Sequence, residues 1–198
     1  MNMKIFLCAS FSLLLWSGMV LAEEQKTIPS KLIEDTPVTR LQSATEEMIA
    51  GLDENKLKQF YVIESSYRTI RAVEDVQMSV GRAIASCSKA NADSAQSYND
   101  RYAVWKDAVR PVLNKGRDKL DKMVLLQSFT QPSQVRNYLK MFDAAVIYRN
   151  QGIKAVPIQD KGECDKLLLN MNDTQDNLIK LLSDTLALDQ PLQTTQEE

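Results

Sequence analysis

The chain has 198 residues, with 24 basic and 26 acidic side chains, three cysteines and no histidine. Without histidine there is no Ser-His or Cys-His nucleophile pair, no histidine-ligated zinc or haem, no Glu-x-x-His di-iron site and no imidazole pH switch. The slight acidic excess lacks the basic field that nucleic acids require, so no nucleic-acid partner is expected.

Residues 1–22 read as a signal peptide. Lys4 is the only charge before Glu23, an apolar stretch runs over residues 5–15, and Val20-Leu21-Ala22 ends on a small residue. Cleavage after Ala22 is expected. An uncleaved anchor fits less well, because the apolar run is short of the ~20 residues a bilayer needs. Glu23 and Glu24 also follow at once, leaving no positive flank. Cys8 follows Leu7 and not a small residue, which argues against a lipoprotein. The mature chain carries a net charge of about −3 once Lys4 is gone, and no second apolar run reaches spanning length. A periplasmic or secreted protein with no stable membrane span after cleavage is expected.

Residues 23–36 are polar and aperiodic, contain Pro29, and read as a flexible leader. A short helix is predicted over 37–50. Asp35 or Thr36 caps it, Pro37 lies in its first turn, and Gly51 ends it. Asp53 caps a long second helix, 54–90. Its apolar stripe is Phe60, Ile63, Tyr67, Ile70, Val73, Val76, Val80, Ile84 and Cys87, at the gaps of three and four that mark one buried face. Asn91 and Asp93 mark a break. A third helix to about 127 carries Tyr98, Tyr102, Trp105, Val109, Val112, Leu120, Met123 and Val124. Pro111 is expected to kink it, and Gly116 is a point where it could divide.

A fourth helix starts near Pro132, with Val135, Leu139, Phe142 and Val146 facing inward, and ends before Gly152. Residues 152–159 contain Pro157 and form a connector. The last helix, about 160–187, carries Cys164, Leu167, Leu168, Met171, Leu178, Leu181 and Leu182. The polar residues 189–198 are expected to be a disordered tail. No alternating strand pattern occurs. The expected fold is all-α: an antiparallel up-down bundle of four main helices plus a short N-terminal helix, forming one domain over 37–188.

Cys87 and Cys164 are the two cysteines left after cleavage, and an even pair in an exported chain favours a disulfide. Topology agrees. If the second helix rises, the third descends and the fourth rises, then Cys87 and the first turns of the fifth helix meet at one end. Ser86 and Lys89 have Ser-x-x-Lys spacing, with Ser97-Tyr98-Asn99 beyond. The Lys-Thr-Gly strand of penicillin-binding enzymes is missing, so this match carries no catalytic reading.

Tyr98, Tyr102 and Trp105 share a helix face, and Tyr61 and Tyr67 lie on the preceding helix. Tyr67, Tyr98, Tyr102 and Trp105 are the candidate lining of a site for an aromatic or lipid-like small apolar ligand. Ordinary core filling explains them equally and is preferred. Gln77, Arg149 and Thr174 fall on or beside apolar stripes, where buried polar groups fix register or line a cavity. The basic segment Arg110, Lys115, Arg117, Lys119 and Lys122 is interrupted by Asp118 and Asp121 and reads as a solvated face. Met48, Met78, Met123, Met141 and Met171 are scattered singly. Glu46-Glu47 and Asp173/Asp176 lack calcium-loop spacing. No metal or cofactor is expected.

Three functions remain. The preferred one is an exported bundle that binds another macromolecule, as adaptor, chaperone, inhibitor or envelope accessory protein. A small-ligand carrier or sensor is the alternative. A histidine-free enzyme clamping an anionic substrate with Arg and Lys is third. Arg68 and Arg71 flank the apolar stripe, but sequence alone does not supply their partners.

Overall fold

The computed structural model describes residues 35–153 and 156–190. The expected signal peptide, the expected leader up to residue 34 and the expected tail from 191 lie outside the described residues. The described elements are five helices and one 3₁₀ turn: α1 Pro37–Ile49, α2 Glu54–Ala90, the turn Ala92–Ser94, α3 Ala95–Leu126, α4 Pro132–Asn150 and α5 Lys161–Leu186.

Local chemistry accounts for the helix ends. Thr36 and Thr39 form a reciprocal capping box, with Thr39 N–H donating to Thr36 Oγ1 at 3.2 Å and Thr36 N–H to Thr39 Oγ1 at 2.9 Å. Pro37 occupies a first-turn position whose N–H would have no helical partner. Asp53 accepts from Lys56 N–H at 2.9 Å and Asp160 from Glu163 N–H at 3.0 Å. Gly51, at φ 75°, supplies the left-handed residue that turns α1 into α2. Ala187 takes the same conformation beyond α5, at φ 46°. Lys119 Nζ secures that end, donating to Ala187 O at 2.6 Å and Gln190 O at 2.9 Å.

α3 lies against both α2 and α5, α2 also touches α5, and α1 lies along α4. The core runs the length of these contacts. It contains Phe60, Ile63, Ile70, Val73 and Ile84 of α2, and Tyr98, Trp105, Val109, Leu113, Leu120 and Val124 of α3. Val135, Tyr138 and Leu139 of α4 join it, with Met171, Leu178, Leu182 and Leu186 of α5. Side-chain pairs give the register. Gln59 Oε1 accepts from Ser128 N–H at 2.9 Å, and Tyr102 Oη donates to Gln77 O at 3.0 Å. Tyr98 Oη donates to Asp165 Oδ1 at 3.2 Å, and Arg101 bonds Asn172.

Two expectations are corrected. α3 is not divided at Gly116. That glycine is buried because neighbours press on it: a Cβ there would stand 3.2 Å from Leu186 and 3.7 Å from Ile70. The glycine therefore serves close helix packing. Pro111 is an exposed residue inside the continuous helix. Leu181, assigned to the buried stripe of α5, is exposed. Leu182 and Leu178 carry the core side of that turn. Conversely, Leu113, Tyr138 and Leu186 are buried although they were left out of the predicted stripes. Each sits three or four residues from a recognised core position, so the periodicity already contained them.

Cys87 and Cys164 form a disulfide with a Cα separation of 5.8 Å, and both residues are fully buried. It ties the last turn of α2 to the first turns of α5. Asn91 braces the same end, donating from Nδ2 to Cys87 O and to Gln159 O, each at 3.1 Å.

Candidate functional site

The four aromatic candidates do not converge on one place. Trp105 and Tyr98 are buried in the core. Tyr102 stacks on Trp105, with ring centroids 6.0 Å apart and planes at 24°. Gly81 permits this approach of α3 to α2, since a Cβ there would meet Tyr102 Oη at 2.6 Å. Tyr98 lies nearer the disulfide end, bonded to Asp165. Tyr67 is ten residues along α2 from the Gln77 carbonyl that Tyr102 touches, or ~15 Å of helix. It points into a different seam. Tyr61, on the same helix, is exposed.

That seam joins α2 to α4 and contains the most concentrated set of charges among the described residues. Tyr67 Oη donates to Asp143 Oδ2 at 2.6 Å. Arg71 meets three carboxylates: Glu74 at 2.5 Å, Asp143 at 2.9 Å and Asp75 at 3.7 Å. Arg117 reaches across from α3 to Glu74 at 2.7 Å. One level away, Tyr138 Oη donates to Glu64 Oε1 at 3.3 Å and lies 3.2 Å from Thr45 Oγ1 of α1. Arg68 stands over the Phe142 ring at 5.8 Å. Edge-to-face contacts of Phe60 with Tyr138 at 5.3 Å, and of Tyr67 with Phe142 at 5.8 Å, form the apolar floor.

These contacts supply the partners of Arg68 and Arg71 that sequence could not place. Glu74 and Asp75 stand three and four residues after Arg71, the spacing at which side chains on one helix meet, although the sequence reading did not pair them. Asp143 comes from a distant helix and gave no sequence signal. With three carboxylates around it, Arg71 can take an incoming anion only by displacing one of them. Burial opposes its charge, but Glu74, Asp143 and Asp75 outweigh that and hold its pKa above the ordinary value. Among the described residues no group of three Cys, Asp or Glu side chains could hold a metal ion.

The seam makes a testable alkaline signature. Burial, then the hydrogen bond to Asp143, pushes the Tyr67 hydroxyl above its ordinary value. Burial also raises Tyr102 and Tyr138. A raised folded-state pKa favours the protonated phenol in the folded chain. Its stabilising share is full below pH ~10, the unfolded tyrosine value, and is lost as pH rises through the folded value. Tyrosinate absorbance should therefore appear later in the folded protein than in denaturant. Tyr67→Phe should remove part of the late component. Coincident titration curves in the two states would count against this arrangement.

Several other ion pairs, such as Lys180–Asp184 and Lys58–Glu54, are exposed pairs within one helix and contribute little to stability. In the basic segment of α3, Arg117 is committed to Glu74 and Lys119 to the end of α5. No helix among the described residues is long and apolar enough to cross a membrane. Compared with known protein families, curated proteins and solved structures, the chain matches none of them.

Proposed function

We propose that this chain is an exported bundle of four main helices, α2 to α5, in antiparallel up-down order, with α1 as a short side helix. We propose further that it works by binding another macromolecule. The direction of the helices is supported by paired residues. Contacts of rising number on α2 meet falling number on α3 and the turn that follows it, from Gln59–Ser128 through Gln77–Tyr102 to Ser88–Ala95. The signal-like residues 1–22 and the Cys87–Cys164 bond are what support export to an oxidising periplasm or medium.

The binding reading rests on one observation. Tyr61 and Val62 of α2 and Leu125 and Leu126 of α3 are exposed, and the Gln59–Ser128 bond brings those two helix ends together. Scattered single apolar side chains are ordinary on a surface; four exposed at the joined ends of two helices are read here as an interaction site. Tyr98 and Trp105 are committed to the core and the Tyr67 hydroxyl to Asp143, which leaves an aromatic-lined ligand site less support.

The test uses protein recovered from the envelope or medium, which on this reading starts at Glu23. Cross-linking followed by mass spectrometry is compared between the native chain and a Val62→Ser/Leu126→Ser variant. Both positions are more than half exposed, at 52% and 61%. The variant should keep its stability within ~0.5 kcal/mol per substitution and lose the macromolecular adduct. An unchanged adduct would remove this surface from the reading. Captured small molecules without any macromolecule would favour a carrier.

A further inference from the structure

Three side chains with hydrogen-bonding groups lie on the apolar stripes of α2, α3 and α5. Gln77 sits on the α2 stripe between Val73 and Val80, and its Nε2 is buried without a hydrogen-bond partner. Trp105 is 0% exposed, and its indole Nε1 is also buried without a partner. Gln175 is partly buried and falls between the core residues Met171 and Leu178, at the spacing of four and three that the α5 stripe follows.

Three separate registers bring these positions to one level. Tyr102 joins the first two, because its hydroxyl reaches the Gln77 carbonyl at 3.0 Å while its ring stacks on Trp105 at 6.0 Å. The Arg101–Asn172 bond joins α3 to α5; Trp105 is four residues beyond Arg101, and Gln175 three beyond Asn172. The disulfide joins α2 to α5. Gln77 lies ten residues from Cys87 and Gln175 eleven from Cys164, each ~15 Å of helix away from the bond.

We infer that this layer binds one small hydrogen-bond acceptor, a water molecule or a halide ion, through Trp105 Nε1 and Gln77 Nε2. An indole N–H can only donate, so its ligand must accept. Buried donors are nearly always paired, and a buried occupant usually takes about three such bonds. Gln175 is placed to provide the third from α5. The Tyr102 hydroxyl does not compete for the acceptor, since it already donates to the Gln77 carbonyl. The ligand joins three helices at one point, which makes the layer a register lock between the disulfide and the far end of the core.

The test is a pair of crystal structures of residues 23–198, grown in chloride and in bromide. A density peak should lie within hydrogen-bonding distance of Trp105 Nε1 and Gln77 Nε2. Anomalous signal in bromide identifies a halide, and a peak without it identifies water. Trp105 Nε1 donating directly to a protein oxygen, or a dry contact at this level, would overturn the inference. In solution, Trp105 is the only tryptophan after residue 22, so its indole N–H resonance is unambiguous. Gln77→Leu should shift that resonance and speed its exchange with solvent. A resonance unchanged in both respects would overturn the role of Gln77.

Discussion

Replacing both cysteines, Cys87→Ser with Cys164→Ser, should leave the chain helical and lower its stability by about 2–5 kcal/mol. The bond spans a sequence separation of 77, and closing a loop of that length restricts the unfolded chain by on the order of 4 kcal/mol. Both positions are fully buried, so two serine hydroxyls would be desolvated and add to the loss, in part offset by Ile158 O and Asn91 Nδ2, which lie 3.8 and 3.9 Å from the two sulfurs. The Cys87→Ala/Cys164→Ala variant isolates the cross-link from that polar burial and should be the milder of the two. Helicity should survive, because the core continues to Phe60, Val124 and Leu182, far from the bond. Circular dichroism with urea denaturation reads both effects. Thiol titration of unreduced, denatured protein from the envelope or medium should find no free thiol from Cys87 or Cys164. Two titratable thiols per chain would contradict the bond.

Trp105→Ala should cost about 3–5 kcal/mol, the range for deleting a buried aromatic. The residue is 0% exposed on α3, the helix that touches both α2 and α5. Its removal would strip one face of the Tyr102 stack and open a cavity where collapse is opposed by rigid helices. Domains of this kind retain only ~5–15 kcal/mol in total, so the variant should be strongly weakened. Val104→Ala is the internal control. Val104 is the preceding residue but 62% exposed, and its change should stay within ~0.5 kcal/mol. Unfolding must be followed by circular dichroism, because the variant lacks Trp105, the tryptophan beyond residue 22. A loss no larger than the control's would mean that Trp105 does not hold the core together.

Much of this fold is a local matter and was therefore legible in one dimension. Spacings of three and four put Phe60, Ile63, Ile70, Val73, Ile84 and Cys87 on one face whatever they pack against. Thr36 and Asp53, readable as caps, reach backbone donors three residues on, and Asp160, read only as the approximate start of the last helix, does the same. The cysteine pairing was legible for a different reason: with Cys8 assigned to the expected signal peptide, only two candidates remained and one pairing was possible. Tertiary structure decided the rest. Leu181 and Leu182 are chemically identical neighbours, and only the direction of the helix neighbours leaves one exposed and buries the other. Gly116 carries no chemical mark separating a helix break from a close contact until Ile70 and Leu186 press on it. The candidate seam shows the division most plainly. Arg71, Glu74 and Asp75 meet through helical periodicity, but Asp143 reaches them only because α4 folds back beside α2. Periodicity fixes which residues share a face. It does not fix which faces meet, because that depends on how all five helices fill one core together.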